Sequence, residues 1–427
     1  MNHQGQKPIK AEEIKLNLSR PESLEKLYRE NKKAFRTAFD EIYPQIINSE
    51  GAKFWKARLE YENKPEFLKT FTLTEVLTVL TACLITAFLI KIRDLFNTGY
   101  PEDVFYMKNA AIIVFFGLSL YAARTIIIQG NRKFIYFILL FLLPALYINL
   151  LPSRPASDSV ELVYIHLPFL MWFMYGIVFT GFDLRSPGVR SVYIHHSGDL
   201  AVVYALIAIA GGILTGISIG LFESIGLSIE NFYINNIVLT GAVSAPIVAS
   251  WFTEKFPALV SKITPLIAGI FSPIVLLTLV IFLIAMAVKG TDLYNDRDFL
   301  LIFNIMLLGV MGLIIFSVSE TTVIKNQKFN AAILLALSIV TIIVDLVALS
   351  AIFYRLNEFG LTPNRLAVLV SNLLVLSNVI LIMADLFRIN FRGQDFDLVR
   401  NTVTRYLPVY LLWILIVVFG FPFFFGV

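Results

Sequence analysis

Apolar residues in this chain gather into blocks of about 20, the length an α-helix needs to cross the hydrocarbon core of a bilayer. Blocks fall near 72–92, 110–129, 134–151, 160–181, 200–223, 232–252, 263–288, 299–318, 331–354, 366–387 and 407–426. The chain is 57% apolar and 15% charged, against about 45–50% and about 25% for soluble domains. The excess is confined to the blocks, so the expected fold is an all-α polytopic bundle of about eleven spans over residues 71–427. A polar segment, 1–70, precedes it. Residues 1–10 hold no apolar run of a secretory signal, so the first span is expected to direct insertion. The 37 Phe and 17 Tyr suit lipid-facing and interfacial positions. The lone cysteine, Cys83, forms no intrachain disulfide.

Charge orients the spans. With residues 1–70 inside, the segments on that side carry 27 Lys/Arg and the opposite loops 8, the asymmetry of the positive-inside rule. Eleven spans then place Val427 outside. The block at 232–252 contains Asn235, Asn236 and Pro246; a re-entrant path there would reverse everything that follows.

Residues 1–70 contain 14 Lys/Arg and 11 Asp/Glu, a balance that argues against nucleic-acid binding. Ser19 and Glu22 have capping-box spacing. Leu24, Leu27, Tyr28, Phe35, Ala38, Phe39, Ile42 and Tyr43 then recur at helical spacing, and Pro44 is expected to end the helix. A second helix is expected over 52–61, with Phe54, Trp55 and Leu59 as its apolar face. The pair either packs on the cytosolic mouth of the bundle or offers residues 19–61 to a protein partner.

Polar groups within the spans carry the functional leads. A charge at mid-bilayer costs at least ~2.5–3.5 kcal/mol on insertion scales and usually marks a pathway or a partner. Asp345 lies deep in the ninth span, with Ser338 and Thr341 on the same helical face. In the tenth, Ser371, Asn378 and Asp385 recur every seventh residue. A short loop makes these spans antiparallel neighbours, and depth counting sets Asp345 level with Asn378. The pair reads as an interhelical polar clamp or as a proton or cation site; Asp385, near Arg388, is expected at the interface. Glu161, His166, Glu223 and Asn304 form a looser outer set, either a polar cavity or solvated interfacial groups. Gly212, Gly216 and Gly220 form a small-residue ladder expected to pack helices closely. Pro265 and Pro273 interrupt the seventh span, either as kinks or as the broken helix of a solute site. No internal repeat is visible.

Between spans nine and ten the chain reads Arg355-Leu-Asn-Glu-Phe-Gly-Leu-Thr-Pro-Asn-Arg365. Gly360 suits a left-handed helix end, Thr362 an N-cap and Pro363 the first helical turn. Alternatively, Arg355 and Arg365 flank a helix N-terminus and hold an anion. The string from Gly360 to Arg365 resembles the hallmark of a bacterial membrane-protein family catalogued as domain of unknown function 4153. His166-Leu-Pro-Phe, Phe271-Ser-Pro-Ile, the stretch from Arg297 to Asn304, and Phe316-Ser-Val-Ser-Glu320 are similar to it as well. The resemblance covers about residues 70–427. It implies a multi-span protein of the bacterial inner membrane, with no established activity or site residues.

No P-loop, His-Glu-x-x-His helix or Gly-x-Ser-x-Gly elbow occurs. The four histidines, His3, His166, His195 and His196, offer no multi-His metal site, and no cofactor is implied. The leading expectation is passage of a small solute or ion, proton-coupled through Asp345. The rivals are a membrane scaffold docking a partner through residues 19–61 and a membrane-embedded lipid-handling enzyme.

Overall fold

The computed structural model describes residues 11–18, 20–63, 72–96, 101–128, 132–152, 157–183, 185–224, 227–289, 297–320 and 327–426. Ser19, His3 and Val427, named above, lie outside them. The described chain is helical and divides into two compact units between Glu75 and Val76.

The first unit contains α1 (Ala11–Leu16), α2 (Pro21–Glu30), α3 (Lys32–Ile46) and α4 (Glu50–Asn63). Its own core buries Ile14, Leu24, Tyr28, Phe35, Phe39, Ile42, Trp55 and Leu59. Trp55 sits at its centre, 4.9 Å from the Phe35 ring and 5.4 Å from Tyr28. The expected apolar face is therefore the packed one, but it spans two helices. Asn31 takes an extended conformation and its side chain accepts the Ala34 N–H at 3.0 Å, capping a new helix. Arg20, with no side-chain cap bond, precedes α2. Pro44 does not end the helix: it lies in the last turn of α3, where Ile42 and Ile46 hold the chain in the core. Phe54, expected on the packed face of α4, is exposed. Glu25 ties α2 to α4 through Arg58 at 2.7 Å and accepts from Arg29 at 2.8 Å. These guanidiniums, Arg29 foremost, hold its carboxyl below the usual carboxylate range.

The second unit is the membrane bundle. Its helices are α5 (Leu73–Phe96), α6 (Glu102–Ala122), α7 (Arg124–Ile128), α8 (Lys133–Leu150), α9 (Asp158–Phe179), α10 (Pro187–Ser224), α11 (Glu230–Lys255), α12 (Pro257–Lys289), α13 (Arg297–Glu320), α14 (Gln327–Phe359), α15 (Pro363–Arg392) and α16 (Asp397–Phe425). Among the described residues, ten helices are long and apolar enough to cross a membrane. The expected span at 299–318 lies on α13, whose shorter apolar stretch is Met306–Ser319. The protein is thus a multi-pass membrane bundle of about ten or eleven spans. Leu77, Leu80, Leu84 and many similar side chains are exposed, as a lipid-facing surface requires.

Several helices outrun their apolar blocks, because their ends carry polar residues that belong to the headgroup layer. The second begins at Glu102 rather than near 110, with Glu102 and Asp103 in a first turn that favours acids. Its Lys108 is buried and donates to the Leu151 carbonyl at 2.6 Å, beyond the end of α8. Residues 187–199, read as loop, form the start of α10. The segment 232–252 is helical throughout, with a π-helical stretch at Tyr233–Val238.

Among the described residues, close helix approach does not occur where the glycine ladder suggested: none of their atoms lies within 4 Å of a Cβ built on Gly212, Gly216 or Gly220. It occurs at Gly117, where an added Cβ would fall 2.0 Å from Thr86 Oγ1, and at Gly198, 2.5 Å from the Phe316 ring.

Candidate functional site

Helices α14 and α15 pack along their length, joined by the loop at 360–362. That loop is built from capping chemistry. Gly360 adopts φ +73° and the Thr362 side chain accepts the Arg365 N–H. The Arg365 guanidinium donates to the carbonyls of Phe359 and Gly360, each at 2.7 Å. It thus neutralises the carbonyl end of α14. Arg355 is half-buried one turn before that end.

Asp345 projects from the middle of α14 and is 1% exposed. Neither carboxylate oxygen has a hydrogen-bond partner among the described residues. Ser338 and Thr341, on the same face, are equally buried, but their hydroxyls turn back to the Leu334 and Leu337 carbonyls at 2.8 and 2.7 Å. The neighbours Val344 and Ala348 pack with Leu307 in an apolar cluster. Asp345 is therefore a carboxyl in a hydrocarbon-like setting without a donor among the described residues.

Asn378 is fully buried on α15. Its amide nitrogen donates to the Tyr410 hydroxyl at 3.0 Å, while its Oδ1 has no partner among the described residues. Tyr410 lies on α16. The Tyr406 ring stands edge-on to Tyr410 at 5.1 Å. Asp345 and Asn378 share no hydrogen bond; the partner of the Asn378 amide is Tyr410. Sequence reasoning missed this tyrosine because nothing in span eleven alone reveals which helix it meets.

The remaining polar residues of α15 have other partners. Ser371 accepts from Trp413 Nε1 at 3.0 Å. Asp385 accepts from Thr402 at 2.5 Å and pairs with Arg388 at 3.2 Å, tying α15 to α16 near the bundle's end. Asn372 donates to Asn304 Oδ1 at 2.9 Å, linking α13 to α15.

The outer set is dispersed. Asn304 is engaged with Asn372, Glu161 and Glu223 are exposed, and His166 bonds the Leu162 carbonyl through Nδ1 at 2.8 Å. No hydrogen bond or ion pair among the described residues joins any two of the four.

Pro265 and Pro273 leave α12 helical from Pro257 to Lys289. Beside Pro273, Ser272 and Ser317 share a hydrogen bond of 2.7 Å across to α13. A cavity of about 10 Å³ lies there, lined also by Gly269 and Asn330, room for about one water.

A second buried polar cluster occupies α9 and α10. The Tyr175 hydroxyl meets His196 Nε2 at 2.8 Å, Phe179 stacks on His196 at 4.3 Å, and Trp172 donates to Ser197 at 3.2 Å. Among the described residues, no group of three or more His, Cys, Asp and Glu could hold a metal ion.

No protein-family model matches the chain, and comparisons with curated proteins and with solved structures return no match.

Proposed function

We propose that the protein passes a small solute or ion across the bilayer, with Asp345 taking up and releasing a proton on the path. The observation that carries this reading is the carboxyl itself: buried in mid-helix, both oxygens without a donor among the described residues. A fixed interhelical clamp satisfies its polar atoms. A group that must exchange a proton or cation keeps them available. On this reading the path continues through Asn378, whose Oδ1 has no partner among the described residues and whose amide donates to the Tyr410 hydroxyl. The charge asymmetry of the loops and the motif from Gly360 to Arg365 support a bacterial inner-membrane protein of the unknown-function family. In that reading residues 1–70 are cytoplasmic, α13 crosses as an eleventh span, and the C-terminus is outside.

Carbodiimides modify protonated carboxyls in apolar surroundings. The reading predicts that dicyclohexylcarbodiimide labels Asp345 in the intact protein, more at pH 6 than at pH 9, and that Asp345→Asn removes that label. Labelling confined to other carboxyls would contradict it.

A further inference from the structure

At one end of the bundle an open-sided cavity of about 500 Å³ lies between α9, the start of α10 and α16. Its walls are Phe173, Ile177, Leu407, Pro408 and Leu411, and its rim carries Arg185 and Arg190. Such a volume is in the range that takes a ligand of drug-like size.

The rim is set by backbone geometry. Helix α9 ends in a Schellman motif: the Gly181 N–H donates to the Val178 carbonyl at 3.0 Å and the Phe182 N–H to Ile177 at 2.8 Å. Gly181 and Phe182 both have positive φ, 64° and 68°, and among the described residues Phe182 is the one non-glycine to do so. A large side chain in that conformation is uncommon. Here it turns Phe182 onto the cavity wall and lets the chain reverse within a few residues. Arg185 and Arg190 then follow at the mouth. Lys133 donates to the Gly181 carbonyl at 2.8 Å, adding a third cation beside the rim. The acid nearest in sequence is Asp183, whose Oδ1 accepts the Arg185 backbone N–H at 3.2 Å. Among the described residues no carboxylate pairs with the Arg185 guanidinium, which is exposed.

We propose that this cavity is a binding site for an anionic phospholipid. Its acyl chain lies against Phe173, Ile177 and Leu411, and its phosphate sits between Arg185 and Arg190. Apolar walls alone would accept any lipid; the arginines at headgroup level select the charge. Basic pockets at the ends of membrane helices recognise anionic headgroups in this way. Arginine suits the role because its fork of donors matches two phosphate oxygens. The site is independent of Asp345 and of any transport activity.

Native mass spectrometry of the full-length protein in mild detergent tests this, with phosphatidylglycerol and phosphatidylcholine at equal concentration. One phosphatidylglycerol should be retained with a preference of about thirtyfold, the selectivity two interfacial arginines supply. Arg185→Gln with Arg190→Gln should bring the two lipids to near parity. Leu411→Trp, which sets a bulkier ring against the wall that takes the acyl chain, should weaken retention of both. Glycerol phosphate, the headgroup without chains, should leave the adduct in place. Equal retention of the two lipids by the wild-type protein overturns the proposal without reference to any variant. Unchanged preference in the double-glutamine variant, or displacement by glycerol phosphate, overturns it as well.

Discussion

Replacing Asp345 with leucine should stabilise the bundle. Leucine copies the branching of aspartate, placing two bulkier methyl groups where the oxygens stand, so two unpartnered polar atoms disappear at the cost of added side-chain volume. A buried polar group without a partner costs about 1–3 kcal/mol, and an ionised one at mid-bilayer at least about 2.5–3.5 kcal/mol. The neighbouring cluster of Val344, Ala348 and Leu307 offers apolar contact to the new methyls. Chains unfolded within a micelle also find partners for their polar groups, so the expected gain is about 1–2 kcal/mol. Equilibrium unfolding in mixed micelles, followed by circular dichroism, measures it. A clamp carboxyl would give the opposite sign, a loss averaging about 0.6 kcal/mol and reaching about 1.7 kcal/mol. Destabilisation of that size would show that Asp345 has a donor, and the argument from its isolation would fall.

Other perturbations test the packing around the site. Gly117→Ala should destabilise, because the new methyl would fall 2.0 Å from Thr86 Oγ1 on a fully buried β-branched side chain. Overpacking costs about 1–3 kcal/mol, partly offset by about 1 kcal/mol of helix propensity; thermal unfolding of both single variants and the Gly117→Ala/Thr86→Ala pair should show non-additive coupling. Tyr410→Phe removes the acceptor of the Asn378 amide and should cost about 0.6–1.7 kcal/mol in the same unfolding assay. The first unit should loosen in acid. Glu25 has a folded-state pKa below its ordinary value, so its contribution is present at neutral pH and is lost as pH falls through the folded value. Emission of Trp55, isolated by replacing Trp172, Trp251 and Trp413 with phenylalanine, should shift red over that acid range, and Glu25→Gln should flatten the shift.

What sequence reveals here divides by range. Span positions are legible because one helix must bury its own backbone in hydrocarbon, and the turn at Gly360, Thr362 and Pro363 because capping is local. The true ends of α6 and α10 were hidden by the polar residues of their outer turns. Partner choice is not local at all. Gly117 and Gly212 are the same residue in similar settings, yet among the described residues only Gly117 of the two has a neighbour at contact distance, on α5. Depth counting placed Asp345 and Asn378 in the buried interior, but it could not supply Tyr410, which arrives from a third helix more than thirty residues later. Depth alone groups Asn304 with the outer set, as a cavity or as solvated interfacial groups; its partner, Asn372, comes from a helix far along the chain.

The most direct test is proton flux in sealed proteoliposomes loaded with a pH-sensitive dye, comparing wild type with Asp345→Asn under imposed ion and pH gradients. The account predicts flux in the wild type that is lost in the variant while its helicity and unfolding midpoint are retained. Equal flux in both proteins, or none in the wild type under any gradient, would contradict it.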